Sequence, residues 1–282
     1  MRPANVVTAI TDILAGYAIA FHKFPVFDDN IWPLIMATIG LYGGGVVLND
    51  AFDAKLDAIE RPERPIPSGK VSVSKAMLLG FSLLLFGCSA AWFSNSMSGL
   101  IASFITVLVI VYDTYGKRHS FVGPLNMGLC RGGNLLLGMS ANPETLTSWS
   151  YLAIISIVYI AAVTMVSRGE VYGGNSKPLY AAFFLYLFVV LAQMFVAYIS
   201  AQQFFVSVML LFVFAAFIFA PLVKAIKYPF APNIRKAVKT GILSLMLMDA
   251  AWCISFGNMP LALICILLIP VSFLFSKFFA VT

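Results

Sequence analysis

The side chains best suited to chemistry lie in one polar run. It reads Asn49-Asp50-Ala51-Phe52-Asp53-Ala54-Lys55-Leu56-Asp57, followed closely by Arg61-Pro62-Glu63-Arg64-Pro65-Ile66-Pro67-Ser68-Gly69-Lys70. Asn49, Asp53 and Asp57 recur every four residues, and Asp50 precedes Asp53 and Asp57 by three and seven. On a continuing helix all four oxygen-bearing side chains share one face. Carboxylates that close repel one another unless a cation joins them. Hard oxygen ligands of this kind suit Mg²⁺, which takes a few carboxylates plus phosphate oxygens and keeps several waters. Arg61, Arg64 and Lys70 then supply the positive charge that a diphosphate needs. A merely solvated loop accounts for the basic residues but not for carboxylates in helical register beside them.

The elements that must position this run are set by composition. The chain has 282 residues, 61% apolar and only 11% charged, with a mean hydropathy of +0.93. Soluble domains carry about 25% charged residues, so there is too little polar surface here for a water-soluble globule. Crossing the hydrocarbon core takes about 20 apolar residues. Ten such runs are present, near 5–22, 31–50, 72–94, 98–113, 121–140, 150–168, 178–200, 203–223, 236–256 and 259–278. The expectation is an all-α, polytopic membrane bundle of nine to ten transmembrane helices, with residues 1–282 forming a single membrane domain. The last two runs are separated only by Gly257–Met259, which points to a tight hairpin or a re-entrant pair.

Fourteen of the 18 basic residues fall in the even-numbered loops between these runs, whereas the opposite side holds Lys23 with Asp28, Asp29 and Glu144. The positive-inside rule therefore puts both termini and the polar run on the cytoplasmic side of a bacterial-type inner membrane. The net charge of +6 faces anionic headgroups, which makes a nucleic-acid partner unnecessary. Arg2, the apolar stretch after it and Ala18-Ile19-Ala20 mimic a cleavable signal peptide, but Asp12 interrupts the apolar core and favours a retained helix.

A few polar residues lie inside the spans. Arg131 and Asn134 sit among Gly132, Gly133 and Gly138, and an intramembrane arginine normally faces a cavity or a partner. Asp12 and Asp249 are both eligible as that partner. The Gly43-Gly44-Gly45 run, with Gly40 one turn earlier, reads as a close-packing helix face that also leaves room for an isoprenoid chain. Cys88, Cys130, Cys253 and Cys265 show no metal-ligand spacing and read as small packing residues. His22 and His119 are isolated.

The run N-D-A-F-D-A-K-L-D followed by R-P-E-R-P-I-P-S-G-K closely resembles the first aspartate-rich motif of the UbiA superfamily of intramembrane prenyltransferases. Asn49, Asp53 and Asp57 match the three motif positions, and Arg2-Pro3-x-Asn5 with Gly16 resembles the family's first helix. The resemblance implies a helical bundle around a central cavity, with Mg²⁺ as cofactor and a prenyl diphosphate as substrate. The head of that substrate rests on two acidic clusters and its tail runs between helices toward membrane lipid. Transfer is to an acceptor that the motifs do not identify.

The family's second cluster, D-x-x-x-D, corresponds here to Ser167-Arg168-Gly169-Glu170-Val171-Tyr172-Gly173-Gly174-Asn175, where only Glu170 is a carboxylate. By resemblance Glu170 and Asn175 join Asn49, Asp50, Asp53 and Asp57 as metal ligands, and Arg168 joins the phosphate-binding set. Asp53, Asp57 and Glu170 then stand as the catalytic carboxylates. The family's Y-x-x-x-K element corresponds to Tyr112 and Lys117, one residue further apart than the pattern, with Asp113 as an extra carboxylate beside them. Lys117 is carried over as a phosphate contact with Tyr112 near it. The combination of S-R-G-E-V-Y-G-G-N with C-R-G-G-N is similar to the EboC-like branch. The thinned second cluster leaves a second reading open, a relative that binds or helps transport a prenyl-diphosphate-type lipid with altered chemistry. An ordinary ion-coupled transporter fits less well, since the acidic run lies at the membrane surface and no internal repeat is visible.

Overall fold

A computed structural model describes residues 3–22, 31–170, 173, 176–200 and 202–278. Each of the ten apolar runs becomes one long helix, and two short helices join them. In chain order these are α1 (Pro3–Ala20), α2 (Ile31–Phe52), the short α3 (Ala54–Glu60), α4 (Val73–Ser94), α5 (Ser96–Thr114) and α6 (Val122–Met139). They are followed by the short α7 (Pro143–Trp149), α8 (Ala153–Ser167), α9 (Lys177–Ser200), α10 (Phe204–Lys227), α11 (Ala231–Ser255) and α12 (Met259–Phe278). Among the described residues nine stretches are long and apolar enough to cross a membrane, α7 and α8 counting as one. The tenth long helix, α6, is not among them, because its 18 residues include Asn126, Arg131, Asn134 and several glycines. The chain is an integral, multi-pass membrane protein.

The helix ends follow local signals. Ser72 caps α4 by accepting from the Lys75 amide at 3.4 Å, and Asn95 caps α5 by accepting from the Ser98 amide at 2.9 Å. α11 and α12 form a tight hairpin, turned at Gly257 with φ +79°, a backbone conformation that suits glycine.

α1 and α11 form the centre, with 83% and 78% of their spans buried, whereas α4, α5, α10 and α12 turn most of their surface outward. Between helices already surrounded by hydrocarbon, close approach adds dispersion contacts, so the crossings use glycine. At Gly16 on α1, a Cβ would stand 2.3 Å from the Leu135 carbonyl oxygen of α6, and one on Gly138 would stand 2.5 Å from the Ile13 oxygen. α2 meets α4 in the same way through Gly40 against Gly87 and Gly44 against Gly80. Cys253 and Cys265 are buried in the core, and Cys88 Sγ lies 3.1 Å from the Thr106 hydroxyl.

Several of the buried polar residues form a network across α1, α2, α6 and α11. Asp12, fully buried, lies 2.5 Å from Arg131 Nε, while Arg131 Nη2 donates to the Thr8 carbonyl. Asn134 Nδ2 donates to Asp12 at 2.9 Å, and its oxygen accepts from Thr38 at 2.7 Å. Asp249 accepts from the Thr11 hydroxyl at 2.5 Å. Of the two carboxylates eligible to pair with Arg131, Asp12 makes the ion pair. Removing one partner of a buried pair of this kind costs about 3–5 kcal/mol.

Candidate active site

α2 delivers Asn49 and Asp50 to its last turn and ends at Phe52. Asp53, with φ −87° and ψ 2°, leaves the helix before α3 begins. The i to i+4 hydrogen bonds nevertheless continue at every motif position: Asp53 to Asn49 at 2.9 Å, Asp57 to Asp53 at 2.8 Å and Arg61 to Asp57 at 2.8 Å. The four oxygen-bearing side chains divide in the order of the helical wheel, Asn49 with Asp53 and Asp57 with Asp50. Asn49 Nδ2 donates to Asp113 Oδ1 at 2.9 Å, and Asp53 Oδ1 lies 2.5 Å from Lys117 Nζ. On the other side Arg64 Nη1 lies 2.7 Å from Asp57 and 3.4 Å from Asp50. Each carboxylate thus meets a neighbouring base, which relieves the repulsion that a shared face would create. Among the described residues no group of three or more metal-ligating side chains is gathered.

α1, α2, α5, α6, α8 and α11 line a cavity of about 340 Å³; Asn49 and Asp113 line a smaller one adjoining it, of about 160 Å³, and Asp50, Asp57 and Arg64 line a third, of about 220 Å³, beside Ile66 and Ala76. Arg61, just past α3, and Glu170, just past α8, both line the large cavity, with Ser167 and Thr164 beside Glu170. Glu170 is buried, with 5% of its surface exposed. The turn after it passes through Gly173 at φ +67°, where a Cβ would stand 2.7 Å from the Pro229 carbonyl oxygen. Mid-helix, Asn5, Thr38, Tyr42, Arg131 and Asn134 supply polar groups to a wall that Ile105, Val109, Ile160 and Leu245 make partly aliphatic.

The remaining expected residues divide. Tyr112 lines the cavity. The extra residue between Tyr112 and Lys117 is taken up where α5 stops at Thr114 and a 3-10 turn runs from Gly116 to Arg118, so Lys117 still reaches Asp53. Arg168 Nη2 donates to the His119 carbonyl and ties the end of α8 to the α5–α6 connection. Lys70 is exposed beyond Gly69 (φ +77°) and lines neither this cavity nor its neighbour. Asn175 lies outside the described residues. Asp113, the extra carboxylate beside Tyr112 and Lys117, is 3% exposed and holds the Asn49 amide.

The donor set fits a hard divalent cation. Its atoms are oxygens, and Asp53 and Asp57 each already draw a cationic group to themselves.

Comparison with known proteins gives a match to the family model of the UbiA prenyltransferase family over residues 9–243. A digeranylgeranylglyceryl phosphate synthase of Methanosarcina mazei is 32% identical over 148 residues, 52% of this chain and 49% of that protein. One from Methanothrix thermoacetophila is 27% identical over 208 residues, 71% of this chain and 78% of that protein. The chain spans about half the length of the curated relatives it matches at 30% identity or more. Among solved structures, one of a digeranylgeranylglyceryl phosphate synthase superposes with a TM-score of 0.68 at 22% identity, covering 90% of this chain and 95% of that one. A UbiA homologue from Archaeoglobus fulgidus bound to DMAPP and Mg²⁺ superposes with a TM-score of 0.60 at 13% identity, covering 87% and 99%. At these identities the superpositions establish a shared fold.

Proposed function

The chain belongs to the UbiA prenyltransferase family, and from that premise we propose that it transfers an isoprenoid chain from a prenyl diphosphate to an acceptor inside the membrane, with Mg²⁺ as cofactor. The observation that carries this reading is the juxtaposition at one end of the bundle. Acids and bases pair off from Asn49 to Arg64, and within that stretch Arg61 lines the large cavity together with Glu170 while Asn49 and Asp113 line the smaller one adjoining it. Asn49, Asp50, Asp53 and Asp57, with Glu170 across the cavity and Asn175 after it, are the residues proposed to hold the metal. The bound metal supplies Lewis-acid neutralisation of the leaving diphosphate.

The protein's own groups do the rest. Lys117 and Arg64 move from Asp53 and Asp57 onto phosphate oxygens, where Arg61 meets them, and Arg168 and Lys70 add positive field around that end. These donors are aimed at the charge that develops as the allylic C–O bond breaks. The pyrophosphate leaves with the electron pair, the acceptor's nucleophile captures the allylic cation, and the acceptor gives up a proton. Aliphatic walls and Tyr112 keep out water, whose attack would give a prenyl alcohol instead. The relatives' name describes a product with two isoprenoid chains on glyceryl phosphate, so a glycerol phosphate lipid is the first acceptor to try. The orientation proposed is with this end cytoplasmic.

The test is a reaction of purified protein with Mg²⁺, labelled prenyl diphosphates and membrane lipid extract, followed by mass spectrometry of the products. Asp53→Asn is expected to elute as wild type on size exclusion and to lose about 10²–10³-fold in turnover. Prenyl transfer at the wild-type rate in that variant overturns the assignment. A second reading, binding or transport of the diphosphate without transfer, is motivated by Glu170 being the one carboxylate in the second segment. Pyrophosphate release by wild-type protein rejects it.

A further inference from the structure

From residue 171 to residue 248 the chain has no Asp or Glu. Within that stretch Lys224, Lys227, Arg235 and Lys236 stand on either side of the connection between α10 and α11, and all four are exposed. Elsewhere at this end of the bundle Arg64 and Lys117 rest on aspartates, and Arg168 donates to a backbone carbonyl. Among the described residues none of the four has an ion-pair partner. Lys224 lies four residues before Tyr228 and Arg235 four after Ala231, so each stands about 6 Å along its helix from the connection. Tyr228 and Phe230 within the connection are 56% and 66% exposed. Aromatic rings beside cations at the end of a membrane hairpin suit the level of the lipid headgroups.

The same connection seats the second segment of the candidate site. A Cβ on Gly173 would stand 2.7 Å from the Pro229 carbonyl oxygen and 3.1 Å from the Ala231 nitrogen. One on Gly169 would stand 2.8 Å from Cδ1 of Ile234, a fully buried residue of α11. The Gly173 amide donates to the Gly169 carbonyl at 2.9 Å, so Glu170 sits in a turn braced at both ends by the start of α11. Asn233 Nδ2 donates to the Tyr228 carbonyl at 2.8 Å and ties the connection to the same helix.

We propose that Lys224, Lys227, Arg235 and Lys236 form a binding surface for the headgroups of anionic phospholipids in the surrounding leaflet, and that its occupancy steadies the turn carrying Glu170. Four cations without an acid to neutralise them match a negative leaflet in charge. The exposed Tyr228 and Phe230 rings favour a lipid over a soluble anion, because a phospholipid covers rings and cations together. None of the four cations lines the cavities beside the aspartate-rich run, so this surface is separate from the site proposed for the prenyl diphosphate.

The experiment places the full chain in phosphatidylcholine nanodiscs with and without phosphatidylglycerol. Electron paramagnetic resonance of spin-labelled lipids is expected to show phosphatidylglycerol preferred over phosphatidylcholine by about fivefold or more. Lys224→Gln, Lys227→Gln, Arg235→Gln and Lys236→Gln combined are expected to lose that preference. Lys224→Arg, Lys227→Arg and Lys236→Arg combined keep the charge and keep the preference. Amide hydrogen exchange at Gly169 and Glu170 is expected to slow in wild type when phosphatidylglycerol is present, and the glutamine variant loses that response. Inorganic phosphate added to phosphatidylcholine nanodiscs leaves exchange unchanged.

An equal lipid preference in wild type and the glutamine variant overturns the surface. Exchange at Glu170 that ignores phosphatidylglycerol overturns the link to the site, and a full response to inorganic phosphate overturns the lipid as occupant. Neither readout needs turnover, so these failures are distinct from a failure of the prenyl transfer reading.

Discussion

The contact between Asn49 and Asp113 links the aspartate-rich run to a helix far from it in sequence. An amide side chain offers one oxygen acceptor and two N–H donors. With Nδ2 on Asp113 at 2.9 Å, the Asn49 amide is fixed in orientation and its oxygen is the atom left to act as a ligand. Groups that orient a metal ligand without touching the metal typically contribute 10–100-fold in metal affinity. Asp113→Ala is therefore expected to raise the Mg²⁺ concentration for half-maximal pyrophosphate release by about 10–100-fold, with turnover largely recovered at saturating Mg²⁺. Asp113→Asn keeps an acceptor oxygen and is expected to lose less. A Mg²⁺ titration of both variants decides it, and a uniform loss of rate at every Mg²⁺ concentration counts against an orienting role. At this scale the sequence was only partly legible. Asn49, Asp53 and Asp57 stood out by type and spacing, but their partners did not. Which base meets which acid depends on the return of the chain at Arg64 and on the approach of α5, and neither leaves a local signal.

Helices were more legible than contacts, because apolar length is a direct demand of the bilayer. Every long run became a helix, and the least apolar of them is α6, whose polar residues and glycines face its neighbours. The short α3 carries on the helical register expected past α2, whereas α7, seven residues long and set by the turns around it, was missed. The glycines of the helix crossings were visible as a run, but their separate duties required the packing. That division is testable by adding one methyl group at two places. Gly87→Ala puts a Cβ 2.7 Å from the Ala37 carbonyl oxygen and 2.8 Å from the Leu41 amide, backbone atoms that cannot give way without parting α2 from α4. Gly45→Ala meets only the Val109 side chain, which can shift by a few tenths of an ångström. Overpacking of the first kind costs about 1–3 kcal/mol. Thermal unfolding in detergent is expected to show a clear drop for Gly87→Ala and little change for Gly45→Ala. Equal unfolding temperatures contradict this account of the α2–α4 crossing.

For the whole molecule, scarcity of charge is itself the organising signal. Alternation of the long helices brings the α2–α4, α5–α6, α8–α9 and α10–α11 connections to one end of the bundle, and those connections carry most of the basic residues and the aspartate-rich run. At the other end Asn95 reaches the Ser140 carbonyl at 3.0 Å and Gly257 lies against Gln202, in connections that are short and nearly uncharged. A bundle so divided has one orientation that the positive-inside rule favours, and a diphosphate made in the cytoplasm then reaches Arg61 and Lys117 without crossing the bilayer. Substituted cysteines test this directly, because Lys70 and Ser148 are both exposed and lie at opposite ends. Cys253 and Cys265 are fully buried, and the half-buried Cys88 and Cys130 are changed to Ser first to remove their background. Lys70→Cys is expected to react with a membrane-impermeant maleimide only in inside-out vesicles, and Ser148→Cys only in right-side-out vesicles or intact cells. The reverse pattern places the basic end outside and removes the cytoplasmic diphosphate route, while leaving the fold and the cavity as described.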